Sequence, residues 1–77
     1  MGVKKRRPDM AAGNYAVNRI AQPNGDHEVH VSGCNYFPTN RIDLGFHYGC
    51  ASAVMAAKLY FAQSNGCYWC SRECNTG

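Results

Sequence analysis

Apolar and polar positions alternate with a period of two over Tyr15, Val17 and Arg19, and again over His27 to Val31. This is the spacing of side chains on the two faces of a β-strand. Strands are therefore expected over Tyr15–Ala21 and His27–Val31. The stretch between them, Gln22-Pro23-Asn24-Gly25-Asp26, is rich in turn formers. Asn-Gly tolerates the positive φ of hairpin turns, so the two strands read as a β-hairpin. Gly33 ends the second strand just before Cys34, and Pro38 with its polar neighbours makes 35–41 a loop. Ile42 to His47 is compatible with a short third strand. The period then changes. Cys50, Val54, Ala57 and Phe61 recur at helical spacing among alanines, which predicts one helix over Cys50–Gln63. Ser64-Asn65-Gly66 reads as its C-terminal stop, and Cys67 to Gly77 as a cysteine-dense knuckle.

A chain of 77 residues has room for one domain. The expected class is α+β: a small zinc-stapled domain over residues 14–77, with an N-terminal β-hairpin, a candidate third strand, one helix and the knuckle. Residues 1–13 read as a flexible basic arm. Large aliphatic side chains are sparse, and a core this thin needs a cross-link or a metal. Five cysteines can supply it. Pro8, Asp9 and Asn14 interrupt what would be the apolar part of a signal peptide, and no stretch is apolar enough to span a bilayer. The expected compartment is therefore the cytoplasm, where disulfides rarely persist. An odd cysteine count also forbids complete internal pairing. Clustered cysteines in that setting read first as metal ligands.

Cys67-Tyr68-Trp69-Cys70 is the strongest motif, because thiolates two residues apart on a tight turn can bind one tetrahedral ion. Its other half is best supplied by His30-Val31-Ser32-Gly33-Cys34, where a strand end and a turn bring two donors to one side. The resulting candidate metal set is His30, Cys34, Cys67 and Cys70, a Cys₃His site of a type that zinc accepts. Cys74 and Cys50 compete with His30 for the fourth place. Cys50 lies on the apolar helix face, which favours a buried structural thiol. His27 and His47 read as packing or solvent-facing residues. Trp69 and Tyr68 read as a lid over the metal, or as exposed rings able to stack on bases. Tyr36-Phe37-Pro38 reads as a loop anchor.

The order of hairpin, donor-x₃-Cys, loop, short strand, alanine-rich helix and Gly-Cys-x-x-Cys resembles the metal-binding domain of Ada-type DNA repair proteins over about residues 27 to 70. That family holds zinc with Cys-x₃-Cys and Cys-x₂-Cys pairs, which implies His30, Cys34, Cys67 and Cys70 as ligands here. Its repair chemistry needs a zinc-bound thiolate to accept a methyl group. His30 stands where the family has a cysteine, so the ligand set is what the resemblance implies, rather than the repair chemistry. The chain is also similar to small bacterial and phage proteins that end in a Cys-rich knuckle.

Net charge is +3, but Lys4, Lys5, Arg6 and Arg7 supply four of the eight basic residues in one run. Beyond Pro8, Arg19, Arg41, Lys58 and Arg72 face five acidic residues, so the body is about neutral. The arm reads as a solubilising tail or as a phosphate contact. The function expected is a non-enzymatic zinc-binding module whose partner is a protein or a nucleic acid, with no membrane and no small-molecule substrate. The alternatives are an inhibitor or adaptor of the kind mobile elements encode, and a thiol-redox protein using Cys67 and Cys70. A redox pair usually opens a helix after a strand, whereas this one follows a helix. No catalytic residues are expected, because His, Asp and Glu show no hydrolytic spacing.

Overall fold

The computed structural model describes residues 11 to 76. Its elements are β1 (Gly13–Asn18), β2 (His27–Val31), β3 (Arg41–His47), α1 (Cys50–Ala57), β4 (Ser64–Gly66) and a closing 3₁₀ turn (Arg72–Cys74). The strands form one sheet in the order β3-β1-β2-β4. The α+β class, the hairpin, the third strand and the single helix match the reading of the sequence.

β1 and β2 pair antiparallel, with Tyr15 opposite Val31 and Val17 opposite Val29. Strand alternation puts these four side chains on one face. Together with Cys50, Ala53 and Ala57 of α1, and with Cys67 and Cys70, they make the buried core. Ala16 and His30 are also paired and therefore share the opposite face. β3 adds to the far side of β1, with a bulge where Tyr15 faces Gly45 and Ala16 faces Asp43.

Three local expectations are corrected. The first strand covers Gly13–Asn18 rather than Tyr15–Ala21. It stops because the Asn18 side chain accepts the Ile20 backbone N–H at 2.9 Å, a local turn that competes with the ladder. Gly13, which the sequence assigns to the arm, is thus the first residue of β1, while residues 1–10 of that arm lie outside those described. The hairpin loop is therefore wider than the Gln22–Asp26 stretch expected, running from the end of β1 at Asn18 to the start of β2 at His27. Positive φ there is confined to Gly25, whose N–H bonds Gln22 O at 2.7 Å.

The third correction reshapes the C-terminal half. α1 ends at Ala57, six residues short of Gln63, and Ser64–Gly66 is a strand rather than a cap. The helix tightens into i→i+3 bonds, Leu59 N to Ala56 O at 3.1 Å and Tyr60 N to Ala57 O at 2.9 Å. The chain then turns so that β4 runs parallel to β2, pairing His27 with Ser64 and Val29 with Gly66. The Phe61 ring stacks on His27 with centroids 3.8 Å apart, and Ser64 donates its hydroxyl to Phe61 O at 2.6 Å. Sheet pairing thus wins over the helical preference of residues 58–63, which periodicity alone does not foresee.

Gly66 carries a tight approach. A Cβ there would lie 2.5 Å from Ser71 O and 2.8 Å from Cys74 Cβ, whereas one at Gly49 would meet nothing within 4 Å. Gly66→Ala is therefore expected to destabilise by about 1–3 kcal/mol or more. At about 4–8 °C per kcal/mol for a domain of this size, its Tm should fall visibly in a thermal melt. Gly49→Ala, in extended backbone with φ −171° at the N-cap of α1, should cost less, about 1 kcal/mol or under, because alanine caps a helix less well than glycine.

Candidate metal centre

The parallel pairing of β4 with β2 builds the centre. Continuing its register by one residue sets Cys67 beside His30, and Cys67 N donates to Val29 O at 2.9 Å. Registered neighbours in a sheet point to the same face, so the imidazole and the thiol emerge together. Cys34 arrives by a turn from β2. Its N–H bonds Val31 O at 3.1 Å, and Gly33 takes φ +99°, a value side chains other than glycine rarely adopt. Cys70 returns on the knuckle, where Ser71 N bonds Cys67 O at 2.8 Å.

The ligand atoms of His30, Cys34, Cys67 and Cys70 all lie within 4.8 Å of one another. His30 Nδ1 stands 3.7 Å from Cys34 Sγ and 3.8 Å from Cys70 Sγ. Zinc–sulfur bonds of about 2.3 Å and zinc–nitrogen bonds of about 2.0 Å give tetrahedron edges of about 3.5–3.8 Å. The cluster is therefore already near tetrahedral size, and its longest pair needs only about 1 Å of closure. His30, Cys67 and Cys70 are buried and Cys34 is half-buried, so the donors have little water to compete with. These four residues can hold a metal ion.

The sulfurs are also set by the backbone. Tyr36 N donates to Cys34 Sγ at 3.4 Å, and Trp69 N donates to Cys67 Sγ at 3.4 Å. Each is the N–H two residues beyond a cysteine, so two turns present sulfur in the same way. Such bonds favour thiolate over thiol. Donation from the Cys70 thiol, reinforced by His30 and by the Cys70 and Trp69 N–H groups, holds the Cys67 thiol down to about 3. Cys70 is pushed up because its thiol donates a hydrogen bond to Cys67 sulfur and because it is buried. Burial likewise pushes Cys34 up. Without a metal, the cluster is one thiolate held by two thiols.

Glu28 is the residue that motif spacing misses. Its carboxylate lies 3.5 Å from His30 Nε2, on the side of the ring away from the sulfurs. A metal-bound imidazole commonly directs its second N–H at a carboxylate, which fixes the tautomer and ring orientation. Burial raises the Glu28 pKa, and the negative charge on Cys67 adds to the shift. The available signal is Glu28-x-His30 within a strand, which puts both side chains on one face.

The competing donors are elsewhere. Cys50 and Cys74 are joined in a disulfide with Cα atoms 6.2 Å apart. This corrects the first reading of clustered cysteines as metal ligands for these two, and it removes both residues from the ligand contest. Cys50 is buried at the start of α1, as its helix face implies. His27 donates Nδ1–H to Asn18 O at 2.9 Å, and His47 is bonded to Ser52 Oγ at 2.7 Å and Leu44 O at 3.0 Å. Pro38 is buried and anchors its loop, whereas Tyr36, Tyr68 and Trp69 are exposed, and all three line one hollow with His30 and Cys67. No family model, characterised protein or solved structure matches the chain. Among the described residues no helix is long and apolar enough to cross a membrane.

Binding a metal requires all three cluster cysteines as thiolates. Cys67 is already ionised at neutral pH, whereas Cys34 and Cys70, both raised, are not. Metal binding should release about two protons near pH 7–8, and affinity should fall as pH falls, by about two decades per unit. Competition against a chromophoric chelator at pH 7 and pH 8 measures this slope. A slope near three would place a proton on Cys67, and a flat profile would exclude thiol ligation.

Proposed function

We propose that this protein is a non-enzymatic binding module stapled by one structural zinc ion held by His30, Cys34, Cys67 and Cys70. The observation that carries this reading is the convergence of four soft or borderline donors within 4.8 Å of one another. Three thiolates and an imidazole in a tetrahedral set suit zinc, whereas magnesium and calcium take oxygen ligands. Four protein ligands leave no open position for a catalytic water. The metal would tie the end of β2 and its following turn to the C-terminal knuckle. Metal binding in such domains contributes on the order of 10 kcal/mol to folding.

The thiol-redox alternative is weaker. Cys67 is 1% exposed and Cys70 6% exposed, and an exchanging thiol must be reachable by its partner disulfide. The same burial suits ligands.

Elemental analysis of the protein purified under mild conditions should give about one zinc per chain. Chelation should abolish near-ultraviolet circular dichroism from the ordered aromatic rings. Cys34→Ser, Cys67→Ser, Cys70→Ser and His30→Ala should each lose most zinc affinity, and Glu28→Gln should lose about 10- to 100-fold. Cys74→Ser should keep the metal and lose about 3 kcal/mol of stability with its 24-residue link to Cys50. A metal-free protein that unfolds cooperatively would sink the reading, as would Cys74→Ser losing zinc while His30→Ala retains it.

A further inference from the structure

The aromatic side chains that follow Cys34 and Cys67 border a hollow that metal binding does not use. It has a volume of about 340 Å³ and is lined by Tyr36, Tyr68 and Trp69, with Glu28, His30 and Cys67 among its other walls. Tyr36 and Trp69 lie 28° from parallel with centroids 6.5 Å apart, and Tyr68 stands edge-on to Trp69 at 4.8 Å. The ring planes thus take two nearly perpendicular orientations around one space. Tyr36, Tyr68 and Trp69 are 58%, 45% and 62% exposed, so the fold leaves much of each ring uncovered.

The charge around this space has one sign. Glu28 brings a carboxylate whose side chain is 18% exposed; His30 Nε2 meets one of its oxygens, Oε1, at 3.5 Å, and a carboxylate has a second. Cys67 brings sulfur. Three thiolates outnumber the two charges of a zinc ion, so the loaded centre carries a net negative charge. Among the described residues no lysine or arginine lines the hollow. The rings act in the same sense, because the face of an aromatic ring is its negative pole. Arg72 shows that attraction from outside: its guanidinium lies 4.9 Å over the Tyr68 ring and donates to Tyr68 Oη at 3.4 Å. The occupant that fits is a cation. A primary ammonium is strongly hydrated and needs acceptors for three N–H bonds. A methylated ammonium spreads its charge over apolar methyl groups, which suit ring faces. An anion would meet the carboxylate, and an uncharged apolar group would bury it without a partner.

We propose that this hollow holds a methylated ammonium head, with Tyr36, Tyr68 and Trp69 as its cage and Glu28 as its counter-ion. The proposal deepens the zinc reading and rests on it, because the metal would fix His30 and Cys67 in the wall and lock the two turns that carry the rings. Choline and a trimethyllysine side chain offer the same head, one as a free molecule and one on a protein. The hollow reads the chemistry they share.

The test titrates the full chain with choline at constant ionic strength made up with sodium chloride, with zinc content measured on the same sample. Choline should bind saturably with a Kd of about 1 mM or tighter, and ring currents should move its N-methyl proton line upfield. Neohexyl alcohol, which has carbon where choline has nitrogen, should bind at least about 10-fold more weakly. Trp69→Ala and Tyr36→Ala should each weaken choline binding by about 2- to 30-fold, while Trp69→Phe retains most of it. Glu28→Gln, held at saturating zinc, should weaken choline and leave the alcohol unchanged. A trimethyllysine peptide that binds more tightly than choline places the head on a protein, and one that binds no better assigns it to a free molecule. Both outcomes support the proposal. An unmodified lysine peptide that binds as tightly as its trimethylated form overturns it. So does zinc-loaded protein that binds choline and the alcohol alike, or that leaves the N-methyl line unmoved at about 10 mM choline. Each of these leaves the zinc staple standing. Saturable choline binding by protein that carries no zinc supports the hollow and overturns the zinc reading alone.

Discussion

The parallel pairing of β4 with β2 is the constraint from which the rest of the molecule follows. It is only three residues long, yet it decides where the knuckle begins and which way its first side chain points. One residue of slip would send Cys67 to the opposite face of the sheet from His30. The close approach at Gly66 and the disulfide from Cys74 to α1 hold the same segment from two sides. Two separate devices therefore hold one short strand in register, in a domain whose apolar core is built mainly from small residues.

That arrangement explains why a polar cluster sits where a larger protein would place more aliphatic side chains. His30 and Cys67 are among the largest fully buried side chains. Buried polar groups are costly unless satisfied, and here they satisfy one another: imidazole to thiols, thiol to thiolate, backbone N–H to sulfur, carboxylate to imidazole. A metal would complete this network by replacing shared protons with shared coordination.

The two cysteine turns also link the centre to the surface. Each spends its inner side on a sulfur and presents an aromatic ring on its outer side. Exposed rings of this size leave apolar surface in contact with water.

Much of the fold was legible from side-chain periodicity. Alternation at Tyr15–Val17 and His27–Val31 marks strands, the alanine-rich run marks α1, and Cys-x-x-Cys with His-x₃-Cys marks the donors, because these signals are local and are set by backbone geometry. The sequence alone therefore determined the class of fold and brought out His30, Cys34, Cys67 and Cys70 as donors, with Cys50 and Cys74 still competing with His30 for the fourth place. It could not show that α1 stops at Ala57, that Ser64–Gly66 becomes a strand, that Cys50 and Cys74 pair, or that Glu28 stands behind His30. Each of those depends on a contact between residues far apart in the chain or on different elements. Local preference for residues 58–66 is helix and cap. Only tertiary structure, by offering β2 an unpaired edge whose backbone groups need partners, decided otherwise.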